Sequence, residues 1–132
     1  MVLLGAGYLH AGRPHDAVPL GQEALALARE RQERGVAGYA LRLLGDLTAR
    51  RWLPQVEQAE TYYHQALTLA KELGMRPLQA HCHLGLGMLY VKTGQQEQAC
   101  AALMTAMAMY RSMEMTFWLP ETEAALAQVE GR

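Results

Sequence analysis

Residues 86–106 read LGMLYVKTGQQEQACAALMTA, and six of them, Leu86, Gly87, Tyr90, Ala99, Leu103 and Ala106, decide how the rest of the chain is read. They are small and large apolar residues spread over two helical segments that Gly94 separates. The spacing recurs. Leu44-Gly45 stands 42 residues before Leu86-Gly87, and Leu4-Gly5 stands 40 before that. On the segment after each pair comes a small residue, Ala17, Ala59 or Ala99, and seven residues further on another, Ala24, Ala66 or Ala106. Self-similarity at a period of this size marks an array of stacked helical units.

Residue size carries the packing argument. Gly5, Gly45 and Gly87 fall inside helices, where glycine costs about 1 kcal/mol relative to alanine. The expected offset is close approach: each glycine faces an alanine of the partner helix, with Tyr8, Tyr63, Tyr90 and Leu103 filling the space beside the contact. One such pair leaves an apolar face open, and the next pair closes it.

The chain in order then reads as seven helices. Val2 to Ala11 forms the first, stopped at Gly12. Pro14 opens the second, which runs to about Glu33; Pro19 removes a bond inside it, so regular helix is expected only from near Asp16, and Gly35 supplies the left-handed turn at its end. The third, Val36 to Arg51, breaks at Trp52-Leu53-Pro54. The fourth runs from Gln55 to Leu73 and closes at Gly74; Pro77 opens the fifth, which ends at Gly94, and the sixth spans Gln95 to Met113. Thr116 reads as the N-cap of the last, with Pro120 in its first turn, where backbone donors lack intrahelical partners. No segment alternates with the period of a strand.

The Leu-Gly, Tyr, Ala, Leu or aromatic, Ala spacing resembles the tetratricopeptide repeat, in three copies over essentially the whole chain. Thr48 stands where tyrosine is usual, Gly21 where a large residue is usual, and the family's tryptophan and closing proline are absent. The period exceeds the family's usual length of about 34 residues. The surplus lies between Ala24 and Leu44 and between Ala66 and Leu86, adding roughly one helical turn.

The resemblance implies an all-α, right-handed superhelical stack of antiparallel helix pairs. Its repeats cover about 1–34, 35–75 and 76–114, in one domain with a capping helix over about 116–130, polar at Glu121, Glu123, Gln128 and Glu130. The long-period variety is similar to repeats at the C-terminal end of large bacterial signalling proteins that carry a cyclase, kinase or ATPase module. A helix starting almost at its Leu-Gly suggests an array cut from something longer.

Composition excludes some functions. With 12 basic against 13 acidic side chains there is no field to attract nucleic acid, and no Lys/Arg cluster. The apolar start lacks a basic leader region and is too short to span a bilayer. Cys82 and Cys100 make neither a disulfide framework nor a zinc pattern, which fits a reducing cytoplasm.

Candidate chemistry is thin. His81-Cys82-His83 looks like a ligand cluster, but helical residues two apart diverge, so the two histidines cannot share a metal from one face. Gly85 and Gly87 lie inside a helix and form no phosphate loop, and no nucleophile, base and orienter come together. Six of the eight methionines lie between Met88 and Met115 and read as gap-filling core; Phe117 and Trp118 read as anchors of the capping helix. No catalytic, metal or cofactor residue is expected.

In the family, the first helix of each pair lines a concave groove. Carried onto this sequence, the lining residues are Tyr39, Arg42, Asp46, Arg50, His81, Leu84, Met88, Val91 and Lys92, with Val2, Ala6, Leu9 and His10 from the first copy. Arg42, Arg50 and Lys92 are candidate carboxylate binders. The branch that holds chaperone tails uses basic and asparagine residues at positions filled here by Val2, Ala6, Leu43, His81 and Gly85, so that ligand is not expected. The resemblance thus implies a noncatalytic protein or peptide binder. The alternatives are a homo-oligomer formed through the first helix pair, a small helical metal protein or enzyme, and a groove that takes an acidic peptide at Arg42 and Arg50.

Overall fold

The computed structural model describes residues 14–50 and 56–130. Among these the chain is all helical: α1 (Pro14–Glu30), α2 (Arg34–Ala49), α3 (Val56–Leu73), α4 (Arg76–Lys92), α5 (Gln96–Ser112), a short 3₁₀ turn (Thr116–Trp118) and α6 (Leu119–Val129). The expected helix over Val2 to Ala11, with Leu4, Gly5, Tyr8, Leu9 and His10, and the expected break at Trp52-Leu53-Pro54 lie outside the described residues.

Each helix packs on its neighbour in sequence, and the tightest pairs are α2 with α3 and α4 with α5. Helices α2, α4 and α6 also touch one another in order, whereas among the described residues α1, α3 and α5 make no such mutual contacts. The layer whose helices lie closest together is the inside of a curve. The stack therefore bends with α2, α4 and α6 on its concave side, an α-solenoid of antiparallel pairs.

The repeated small residues sit where two backbones meet. Ala17, Ala59, Ala66, Ala99 and Ala106 are fully buried and Ala24 nearly so. Around them Leu41, Leu44, Leu47, Leu78, Leu89 and Leu103 are almost wholly excluded from water, each contributing about 1.5–3 kcal/mol by burial. One apolar cluster joins α1 and α2 to α3, Leu78 and Cys82; a second joins Tyr63 to α4, α5 and α6, so the core runs on from pair to pair.

The glycines face something other than alanine. A Cβ on Gly45 would lie 2.9 Å from the ring of Tyr63, and one on Gly87 would lie 2.6 Å from Leu103 Cδ2. The large residue expected beside each contact lies directly on the glycine, because a missing side chain opens a slot wide enough for a ring or a leucine. Gly21 follows the same logic: Leu44 fills the space a large side chain would need there.

Helix ends differ from expectation at three places. Helix α1 includes Pro19 and ends at Glu30, not near Glu33. Gln32, not Gly35, takes the left-handed conformation (φ 57°), and the Glu33 N–H donates to the Ala28 carbonyl at 2.8 Å, closing the helix. Gly35 then lies in the first turn of α2. At the other end Thr116 begins the 3₁₀ turn and Trp118 holds the N-cap position of α6 with no side-chain cap. The Thr122 hydroxyl donates to the Trp118 carbonyl at 2.8 Å. Gly74 and Gly94 take the expected positive φ.

Candidate functional site

On the concave side α2, α4 and the start of α6 enclose an open cleft of about 660 Å³. Its floor is apolar, with Leu43, Ala49, Leu84, Met88 and Leu89; Arg50, Lys92 and Glu121 stand at its rim. Seven of the nine expected groove residues line it: Arg42, Asp46, Arg50, His81, Leu84, Met88 and Lys92. Tyr39 does not; it is exposed on α2. Nor does Val91, which packs half-buried against the cluster of α4, α5 and α6.

Tyr63 comes to the cleft from α3. Its ring crosses between α2 and α4 through the slots left by Gly45 and Gly85, and its hydroxyl donates to Asp46 Oδ1. Burial, reinforced by the charge of Asp46, holds that phenol well above its usual pKa, so it stays a donor. The other Asp46 oxygen lies 3.0 Å from Arg42 Nε. That contact is an ion pair by distance, but the N–H is not directed at the oxygen, and the buried Nε has no hydrogen-bond acceptor. Asp46 thus serves two partners inside the fold.

His81 links α4 to the end of the stack. Its Nδ1 lies 2.7 Å from the Tyr110 hydroxyl on α5, and its ring meets Trp118 edge to face at 4.7 Å between centroids. Burial, with Arg42 nearby, lowers the imidazole pKa to about 4, so it is neutral at neutral pH. His83, half-buried on the far side of α4, is lowered too, chiefly by burial. Cys82 between them is fully buried, and burial pushes its thiol up to about 12. The described residues hold no group of three or more metal-binding side chains.

The three candidate carboxylate binders divide. Arg42 is paired with Asp46, and Lys92 Nζ donates to the Ala49 carbonyl at 3.2 Å, which caps the C-terminus of α2. Arg50 is exposed and has no partner among the described residues. Lys92 is therefore partly committed to structure.

Several lining residues differ from those expected of the groove: the sequence places Tyr63 in the core, Trp118 and Phe117 as anchors of the last helix, and Glu121 in a polar cap. Trp118 does anchor, against His81 and Tyr110. Phe117 does not: it is 84% exposed at the cleft's end and touches Trp118 edge to face at 5.4 Å. The signal for Tyr63 lay in Gly45 and Gly85, 40 residues apart, one on either side of its ring.

A model of the tetratricopeptide repeat family matches residues 40–112. No curated protein matches the chain. None of the described helices is long and apolar enough to cross a membrane.

Proposed function

The chain belongs to the tetratricopeptide repeat family, and from that premise we propose that it is a noncatalytic scaffold that binds a segment of another protein along its concave cleft. The observation that carries this reading is the cleft itself. It is an open apolar floor of about 660 Å³ with charged residues at its rim, within the size range of preformed binding sites. Family members typically mediate protein–protein contact. The polar groups here support that role: Asp46, Tyr63, Arg42 and His81 are engaged with one another or with the core, leaving no free nucleophile and base among them.

A photo-crosslinking residue tests the reading. Placed at Met88 or Phe117 in the cleft, it is expected to trap a partner in cells of the source organism. The same residue at Thr105, exposed on α5, is expected to trap none of that partner. Equal yields at all three positions would refute the cleft assignment.

The similarity to repeats of large bacterial signalling proteins extends the proposal: the chain acts as one module of such a protein, in the reducing cytoplasm that its two free cysteines suit. The full reading frame around the coding sequence tests this; the absence of any neighbouring signalling module would overturn it.

A further inference from the structure

We propose that the α6 end of the cleft is an anchor pocket for an aromatic side chain carried by a linear acidic peptide segment: the ring enters the corner of His81, Phe117 and Trp118, and the carboxylates that follow reach Arg42 and Arg50. This rests on the reading of the concave cleft as the binding face, and adds what that face selects.

Three observations carry it. The first is the aromatic corner. Trp118 meets His81 at 69° and Phe117 at 83°, so three rings stand edge to face in one continuous wall. An incoming ring meets both edges and faces there, the arrangement that aromatic pairs prefer. The second is the exposure of Phe117. At 84% it is the most exposed of the large apolar side chains among the described residues, the others being at 53% or less. Among the described residues it joins none of the apolar core clusters and touches Trp118 by its edge, and it stands on the cleft's lining.

The third is charge. The lining carries Arg42, Arg50 and Lys92 against Asp46 and Glu121, an excess of one positive charge on a chain whose formal net charge is -1. Asp46 and Arg42 offset each other across their ion pair, so the excess is carried by Arg50 and Lys92 against Glu121. A positive cleft on a negative chain steers acidic segments toward it. Geometry then sets the spacing. Arg42 on α2 and Arg50 at its C-cap are eight residues apart, about 12 Å along the helix axis, which an extended strand covers in about four residues. The favoured segment has an aromatic residue, an acidic residue close behind it, and a second acidic residue about four residues further on.

The test is a selection from a random-peptide display library on the full chain, followed by titration of fluorescein-labelled winners against the wild type and variants. Expected winners carry Phe, Tyr or Trp with Asp or Glu to one side. Phe117→Ala, at an exposed site, is expected to weaken them between about 2-fold and 10-fold, and Arg50→Glu to weaken them at low salt more than at high salt. Winners that need Met88 and Leu84 contacts, lost in Met88→Lys, but carry neither aromatic nor acidic residues overturn this proposal and leave the cleft reading standing. Winners indifferent to Phe117→Ala, Arg50→Glu and Met88→Lys alike, or no enrichment, overturn both. A dimer in sedimentation that Phe117→Ala dissolves assigns the corner to a second copy of the chain and overturns the peptide.

Discussion

Tyr63 lies with its ring against the backbone of Gly85, so close that a Cβ on the glycine would stand 2.5 Å from the ring's Cζ. The ring cannot retreat, because on its other side a Cβ at Gly45 would stand 2.9 Å away. Two helix-weakening residues therefore hold one aromatic cross-brace between consecutive pairs of the stack.

Gly85→Ala is accordingly expected to destabilise the chain by about 1–3 kcal/mol, even though alanine is the better helix former by about 1 kcal/mol. Gly21→Ala is the contrast, since only the end of the Leu44 side chain must shift there. It should cost less than Gly85→Ala. Urea midpoints of the two variants check the order, and a Gly85→Ala chain more stable than wild type would show that the ring does not occupy the slot.

Asp46 has two partners, and the expected pattern of substitutions separates them. Asp46→Ala leaves the Tyr63 hydroxyl unsatisfied and Arg42 without its ion pair, and should cost about 1–3 kcal/mol. Asp46→Asn keeps an acceptor for the hydroxyl and should cost less. Adding Tyr63→Phe to Asp46→Ala should recover part of the loss, because the buried donor is then gone as well. Strict additivity in this double-mutant cycle would show that the hydroxyl contact contributes nothing.

The depressed pKa of His81 makes a signed pH prediction. The unfolded imidazole titrates near 6.5 and the folded one at about 4, so between these values the unfolded state binds the extra proton. The contribution of neutral His81 is complete above the unfolded pKa. It is lost as pH falls from about 6.5 toward 4, and no further change comes from this group below that. His81→Gln, which retains a polar partner for the Tyr110 hydroxyl, should flatten the fall in Tm over this window. His83 titrates over part of the same range, so the measured quantity is the difference between wild type and variant. Parallel Tm curves would refute the assignment to His81.

How much was legible in the sequence follows from which residues act through spacing and which through shape. Leu44, Leu86, Ala59, Ala99 and Ala106 act through spacing, and their period gives the helices and the pairing, while the resemblance to the tetratricopeptide repeat that this period carries implies most of the cleft lining. Tyr63 acts through shape: its period marks it as core, while its hydroxyl reaches the cleft only because Gly85, a residue that reads as an ordinary helix interruption, leaves room for the ring. Phe117 and Trp118 are neighbours of one chemical kind, yet the 3₁₀ turn sends one into contact with His81 and the other into solvent. Nothing in residue type distinguishes them. The end of α1 falls short of the position the sequence suggests because the left-handed residue is a glutamine, while a glycine three positions on carries the usual signal.

That glutamine leads to the most general test of the helix ends. Four of them close in the same way: Gln32, Gly74, Gly94 and Glu114 each adopt φ between 56° and 74°, and the following N–H reaches back to Ala28, Ala70, Tyr90 or Tyr110 at 2.8–2.9 Å. The hydrogen bonds are equivalent, so the difference lies in the side chain at the turn. A Cβ in the left-handed region costs roughly 1–2 kcal/mol, whereas glycine loses about 0.5–1 kcal/mol more chain entropy on folding. Gln32→Gly and Glu114→Gly should therefore each stabilise by up to about 1 kcal/mol. Gly74→Gln and Gly94→Gln should each destabilise by a similar amount, although open space surrounds both glycines and no clash is involved. Urea midpoints at an unchanged slope check all four. Should Gln32→Gly lower the midpoint, Gln32 does not hold a left-handed turn and α1 ends elsewhere.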